Sequence, residues 1–320
     1  MLQTLYPLQK VEGRDLVPQS TVDLADEIAK AARSDNTRRM YTTHWRRYVD
    51  WCIRHGFRPL PVDATILKLY LTSCVDSHKV GTIECYLSVI VEACKLHGDP
   101  SPREHPVIKE FMKGLRNKYG APQREADPIL LETLKAMLSA LPDNVIGIRD
   151  HALLVVGFAS ACRRSEIVGF RIEDLALVNE GYIVRIPRSK TDQEGQGRMI
   201  ALPYGTDELT CPVGRLKAWF EASGISDGNV FRSVDRHGKI GAGLTDKAVA
   251  LVVKRAAVRA GLDSTKLSGH SLRCGFVTEA KLRGHDDYSI MLQTGHKSAR
   301  MVHKYTRRVD IFKQGAKVGL

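Results

Sequence analysis

The chain has 320 residues, 43% of them hydrophobic and 26% charged, which is enough apolar side chain for two domains with separate cores and too much for a disordered chain. Its 48 Lys and Arg outnumber its 36 Asp and Glu, leaving a formal charge of +12. Such a balance favours a polyanionic partner, nucleic acid first, because cationic side chains displace condensed counterions from a phosphate backbone; a generally basic, solvated surface is the alternative.

Residues 1–19 show no clear period and read as a flexible arm. From Asp35 a helix is expected, with Tyr41, Trp45, Tyr48, Val49 and Cys52 on one face at helical spacing. Arg39, Arg46, Arg47 and Arg54 fall on the opposite face without acidic partners. That stripe is either a phosphate-facing surface or ordinary solvated charge. Further amphipathic helices are expected at Ala64–Val75 and at Gly81–His97, the latter with Ile83, Tyr86, Leu87, Ile90, Val91 and Cys94 inward. Another is expected at Pro106–Lys118, with Val107, Phe111 and Leu115 inside and Lys109, Lys113, Arg116 and Lys118 outside. These make a small all-α domain over 20–118. The segment YGAPQREADP, 119–128, breaks the pattern and reads as a linker.

Beyond it, over 129–320, helices are expected at Ile129–Leu141 and Gly147–Phe170, the second with a break near Ala161. Tyr182–Pro187 and Arg198–Pro203 read as strands of a hairpin around SKTDQEGQG. Helices resume at Pro212–Ala222 and Thr245–Ala260 and continue to the end.

Three short patterns could carry chemistry. His270 and Arg273, at i and i+3 near a helix start, suit an anion, though a surface turn with a capping histidine gives the same pattern. Arg163 and Glu166 share a face after the apolar run LLVVGFASAC, so the arginine meets either that glutamate or a ligand phosphate. Lys190, on the hairpin, is simply solvated unless another element needs a proton donor. With His296 and Tyr305 these residues form the set needed to cut a phosphodiester without metal: arginines for the phosphorane charge, a tyrosine to attack phosphorus, and an acid for the leaving oxygen. The seven cysteines form no C-x-x-C pair and no carboxylate cluster suggests a two-metal site, so neither metal nor cofactor is expected. Scattered thiols, the lack of a signal core and the lack of a membrane-length apolar run point to a reduced, cytoplasmic protein with no membrane partner.

The order Arg163–Glu166, Lys190, His270–Arg273, Gly295–His296, Tyr305 resembles that of the tyrosine recombinase (phage integrase) family, most of all its Cre-like members. The resemblance runs from about Ser34 to the end. It implies a mainly α fold with a small β-sheet: a four- to five-helix core-binding domain, then an α+β catalytic domain. It also implies a site-specific recombinase that cleaves and rejoins DNA through a 3′-phosphotyrosine and a Holliday junction, in integration, excision or resolution. Under it Tyr305 is the nucleophile, Arg163 and Arg273 grip the phosphate, and Lys190 protonates the leaving 5′-oxygen. His270 assists proton transfer, His296 hydrogen-bonds a phosphate oxygen, and Glu166 supports the cluster. The implied partners are double-stranded DNA with an inverted-repeat site, three further copies in a homotetramer, and in some systems accessory proteins, all nucleoid-associated. Val309, Ile311, Phe312 and Val318 of the tail would dock on a neighbouring subunit or on their own domain. Tyr305 is preferred to Tyr288, which precedes His296 and is expected to pack near Ile290 and Leu292; Arg163 is preferred to Arg164 because only it has the glutamate three residues on. The rival readings are a type IB topoisomerase and a non-catalytic DNA-binding regulator.

Overall fold

The computed structural model describes residues 17–121, 126–187 and 197–305. They fall into two compact units that divide between Gln123 and Arg124.

The first unit has α1 (Gln19–Ala31), α2 (Asp35–Arg54), α3 (Ala64–Ser73), α4 (Val80–His97) and α5 (Pro106–Tyr119). Local chemistry sets the ends. Ser34 accepts from Thr37 N at the start of α2, Asp63 accepts from Thr65 N and Ile66 N at the start of α3, and Gly98 closes α4 with a φ of 86°. The core is one cluster, in which Trp45, Tyr48 and Cys52 of α2 meet Leu67, Tyr70 and Leu71 of α3 and Ile83, Leu87, Ile90 and Cys94 of α4. Helix α1 lies within the segment read as core-binding, but it buries no residue.

Two expectations are corrected here. In α5 the buried residues are Ile108, Met112 and Leu115; Phe111 is half-buried and Val107 exposed. Both apolar series have helical spacing and share Leu115, so periodicity alone does not choose between faces one residue apart. In α2 the four arginines are exposed opposite the buried stripe, but Asp50 stands among them, four residues from both Arg46 and Arg54. Arg54 donates to the carbonyl oxygen of Asp50 at 3.2 Å, and Arg47 to the Tyr86 hydroxyl at 3.1 Å.

The second unit contains α6 (Leu131–Ser139), α7 (Val145–Ser160), α8 (Arg164–Val168), β1 (Leu175–Val178), β2 (Gly181–Ile186), β3 (Arg198–Pro203), α9 (Pro212–Ser223), β4 (Arg232–Val234), β5 (Ile240–Gly243), α10 (Asp246–Arg259), α11 (Gly269–Leu282) and α12 (Asp287–Thr294). A further helix, α13, covers 299–305 at the end of the described residues. Strands β1, β2 and β3 form an antiparallel sheet in that order, with Ile186 paired to Arg198 at its open end. Tyr182, Val184 and Ile186 alternate inward along β2. Strand β1 and the β4–β5 hairpin add to the two strands expected from the sequence. The segment read as a linker is partly built in: Tyr119 closes α5, while Asp127 N donates to Lys266 O at 3.1 Å, and Ile129 N, just beyond the segment, donates to Ser271 O at 3.1 Å.

Helix α7 is the central element, with Leu153, Leu154, Val155 and Val156 all buried. It stops at Ala161, whose φ of 50° turns the chain away before Arg163 caps α8. The break expected near Ala161 is therefore real, and it places Arg163 beside α11 rather than along α7. Lys190 and the tail residues Val309, Ile311, Phe312 and Val318 lie outside the described residues.

Candidate active site

Ser268 caps α11, accepting from His270 N at 3.2 Å and taking Ser271 Oγ on its own N–H at 3.0 Å. This cap places His270 and Arg273 on the first turns of α11. Arg273 is almost fully buried, and its Nη1 donates to Ala161 O at 2.5 Å and Thr294 O at 2.7 Å. Those carbonyls lie at the ends of α7 and α12, where helix hydrogen bonding has run out. The Nη2 of Arg273 is buried with no hydrogen-bond partner among the described residues. A buried guanidinium N–H left open is costly unless something anionic fills the gap.

Arg163 donates from Nη1 to Glu166 Oε1 at 2.7 Å and from its backbone N to Oε2 at 2.9 Å. Burial pushes the Glu166 carboxyl up, but the N–H groups and charge of Arg163, with Arg198 behind it, hold it below its ordinary range. It is an anion whose bonds point Arg163 into the site. Arg164, the neighbour set aside, lays its stem across Gly269, where an added Cβ would stand 2.4 Å from Arg164 Cδ.

Tyr305, in α13, completes the group. Its hydroxyl is 3.0 Å from His270 Nε2, and its ring stacks on His296 with centroids 5.6 Å apart. Burial raises the pKa of Tyr305 and Cys274 adds to that, while Arg273 and Arg163 oppose it. His270 is held below its ordinary value, by burial first and then by Arg273, Arg164, Arg163 and Lys304. A neutral His270 can accept the phenol proton. His296 is pushed down to about 3 by burial first, then by Arg273, Arg163, His270 and Arg198. Thr294 Oγ1 donates to Ile290 O at 2.7 Å, so at 2.9 Å from His296 Nδ1 it acts as acceptor. The neutral ring therefore carries its proton on Nδ1, leaving Nε2 bare.

Arg163, Glu166, His270, Arg273, His296 and Tyr305 thus come together within the second unit. The arginines Arg39, Arg46, Arg47 and Arg54 belong to the first. Tyr288, expected to pack near Ile290 and Leu292, is instead 71% exposed on α12, and Leu292 is exposed with it. No group of three or more His, Cys, Asp or Glu among the described residues could hold a metal ion.

A family model, the phage integrase family, matches residues 129–310. The chain belongs to the phage integrase family. Among its relatives there, the integrase/recombinase xerD homolog of Selenomonas ruminantium is 37% identical over 290 residues, covering 89% of this chain and 85% of that protein. Tyrosine recombinase XerD of Proteus mirabilis is 28% identical, covering 85% of this chain and 83% of its own. The mostly helical architecture with small antiparallel sheets recurs in solved members of the family. The Tn1549 transposon integrase in complex with circular intermediate DNA superposes with a TM-score of 0.64 at 13% identity, over 91% of this chain and 97% of that one. A lambda integrase dimer bound to a COC′ core site gives 0.61 at 16% identity, over 90% and 95%.

One residue of the site escaped the sequence reading. Arg198, which by sequence is only the start of a strand, reaches Glu166 Oε2 at 3.2 Å and Gln293 O at 2.7 Å. Nothing in its local sequence distinguishes it from the other exposed-looking arginines; its partners are 32 and 95 positions away.

Proposed function

We propose that Tyr305 attacks a DNA phosphorus while His270 accepts the phenolic proton. The chain is a site-specific recombinase of the tyrosine class, in keeping with its family and its XerD- and XerC-type relatives. The new bond is phosphorus to the Tyr305 oxygen, and the bond broken is phosphorus to the 5′-bridging oxygen, which leaves as a hydroxyl once protonated. Lys190 supplies that proton. Arg163 and the open Nη2 of Arg273 take the non-bridging oxygens, where charge accumulates in the transition state. The phosphotyrosyl link keeps the energy of the phosphodiester, so a 5′-hydroxyl from another strand reseals it without ATP. His296, with a bare Nε2 in the free protein, donates to a phosphate oxygen only after gaining a proton, which an adjacent phosphate anion favours.

The observation that carries this reading is the 3.0 Å contact between His270 and Tyr305 beside Arg163 and Arg273, the latter with a buried Nη2 that has no hydrogen-bond partner among the described residues. A suicide substrate, which loses its leaving strand after cleavage, tests it. Tyr305→Phe should bind the site yet form no covalent complex; covalent attachment at the normal rate would overturn the assignment. A DNA-relaxing role is not favoured, since the relatives are recombinases.

The finer proposal is double-stranded DNA with inverted repeats, held by Arg39, Arg46, Arg47 and Arg54 of the core-binding unit (20–118) as well as by the catalytic unit (129–320), with four copies in the synapse. Four exposed arginines on one face of α2 support the first part. Deleting residues from Phe312 onward should leave single-site binding intact and remove the two-site complex on native gels. A truncated protein that still pairs two sites would show that the tail is not the link.

A further inference from the structure

We infer that Arg198 is a positioning residue of the strand-cleaving site, bracing the two chain segments that hold Arg273 and the carboxylate that holds Arg163; the inference rests on the recombinase reading above. Arg198 opens β3, and its side chain is only 18% exposed. One arm of its guanidinium, Nη1, donates to Gln293 O at 2.7 Å. The other, Nη2, donates to Glu166 Oε2 at 3.2 Å and to Cys162 Sγ at 3.5 Å.

These partners mirror those of Arg273. Arg273 joins Ala161 O to Thr294 O. Arg198 joins the next residue on each side, Cys162 and Gln293. Two guanidinium groups thus span one gap, between the turn that ends α7 and the last turn of α12. Both sides of that gap present carbonyl oxygens that helix geometry leaves free, and a flat, forked cation can bridge them at fixed separation. With Arg273 alone the gap would be set by a single nitrogen.

The contact with Glu166 extends the brace to the other phosphate-facing arginine. The glutamate receives Arg163 Nη1 on Oε1 and, on Oε2, both Arg163 N and Arg198 Nη2. A carboxylate held on both oxygens cannot rotate, so the Arg163 guanidinium it binds keeps its direction. Arg198 also fixes where the chain leaves α12. A Cβ on Gly295 would stand 2.9 Å from Arg198 Nε and 3.1 Å from Cζ, so the glycine that turns the chain at a φ of 67° is the one the guanidinium rests on. His296 follows directly. The cost of this placement is visible: Nε of Arg198 is buried without a hydrogen-bond partner among the described residues. A cation kept in that position at such a penalty serves the groups around it more than its own solvation.

Among the described residues Arg198 bonds Gln293, Glu166 and Cys162 but neither Tyr305 nor His270, so its loss should slow the chemical step and spare binding. Misplacing a reacting group by about 1 Å costs on the order of 10²-fold. Single-turnover cleavage of a suicide substrate at saturating protein, with the dissociation constant from gel shifts, reads the two apart. Arg198→Lys, which keeps the charge and loses the fork, should bind within about twofold of wild type and cleave about 10- to 100-fold more slowly. In a Glu166→Gln background the same substitution should cost far less, because the two residues act as one unit. Arg198→Gln should also move the acid limb of the cleavage rate to higher pH: with one of its two cations gone, Glu166 takes up a proton sooner. A purely structural strut would not move that limb in the molecules that remain folded. Arg198→Lys cleaving at the wild-type rate, or multiplying in full with Glu166→Gln, overturns the proposal. So does an unmoved acid limb. The wild-type lane separates the claims: no covalent complex there overturns the recombinase reading and this role with it, whereas a wild-type complex beside an unimpaired Arg198→Lys overturns only this role.

Discussion

Among the described residues the helical unit buries Trp45, Tyr48, Leu67, Leu71, Ile83 and their neighbours with no charged side chain, whereas the second unit buries Arg149, Asp150, Glu166, Arg273 and His296. Burying charge is unfavourable unless partners replace the lost water. Within the second unit the buried charges divide again. Arg149 is matched by Asp150 at 2.7 Å and by Arg232 O at 2.9 Å, and Asp150 is also met by Arg255 at 3.3 Å. Among the described residues the group around Arg273 is left short, with unpartnered N–H groups on Arg273 and Arg198. A satisfied charge network joins elements to one another; an incomplete one has capacity for a ligand. The difference teaches which residues to associate with stability and which with chemistry.

The comparison breaks most visibly at Arg273. Arg273→Ala removes a transition-state donor, so single-turnover cleavage should fall by about 10²- to 10³-fold or more while single-site binding changes far less. An equal loss in both would mean that the open Nη2 serves binding alone. In the apolar unit the expected effect is of the other kind. Leu71→Ala, at a fully buried position in α3, should lower unfolding stability by about 2–5 kcal/mol in denaturant titrations. The cleavage rate of the molecules that remain folded and bound should not change. A slower chemical step in that variant would show that the helical core does more than hold its own surface together.

The smallest expected effect sharpens the contrast through pH. His296 is held at about 3 in the folded unit, against an ordinary value of 6.5, so it stays neutral while the unfolded chain takes up a proton. The sign follows from linkage: the unfolded state binds more protons between those values, so stability is full above about 6.5 and declines as pH falls toward 3. His296→Asn should flatten that part of the profile, measured as the difference in denaturation midpoint between about pH 7.5 and about pH 5, one above and the other below the ordinary imidazole value. Parallel profiles for the two proteins would mean that the ring is already solvated.

Much of this was legible in the sequence, for reasons that differ by residue. The stripe of Trp45, Tyr48 and Cys52 reads clearly because one face of α2 is large and apolar and the other is arginine. The break at Ala161 reads because a continuous apolar run stops at a pair of arginines. Ile108 and Met112 were misread since their neighbours Val107 and Phe111 have the same spacing, and only the packing of α5 selects between them. Tyr288 was expected to be sheltered on composition alone, yet α12 turns it outward. The meeting of His270 with Tyr305 spans 35 positions and was inferred from residue order rather than from any local pattern. Arg198 had no such order to announce it. Its importance comes from where the β2–β3 register ends, and register is a property of pairing that a single strand's sequence does not contain.

Ala161 has a consequence for anyone trying to make this enzyme hardier. Among the described residues it is the one non-glycine with a positive φ, at 50°, and its side chain is wholly buried. A left-handed alanine costs about 1 kcal/mol, so Ala161→Gly looks like an easy thermostabilising choice. It would also leave a methyl-sized void, costing about as much again, and would free the peptide whose carbonyl Arg273 grips. Melting temperature would scarcely register the exchange, and a screen that ranks variants by heat resistance alone would pass it. Turnover would be the quantity that aged.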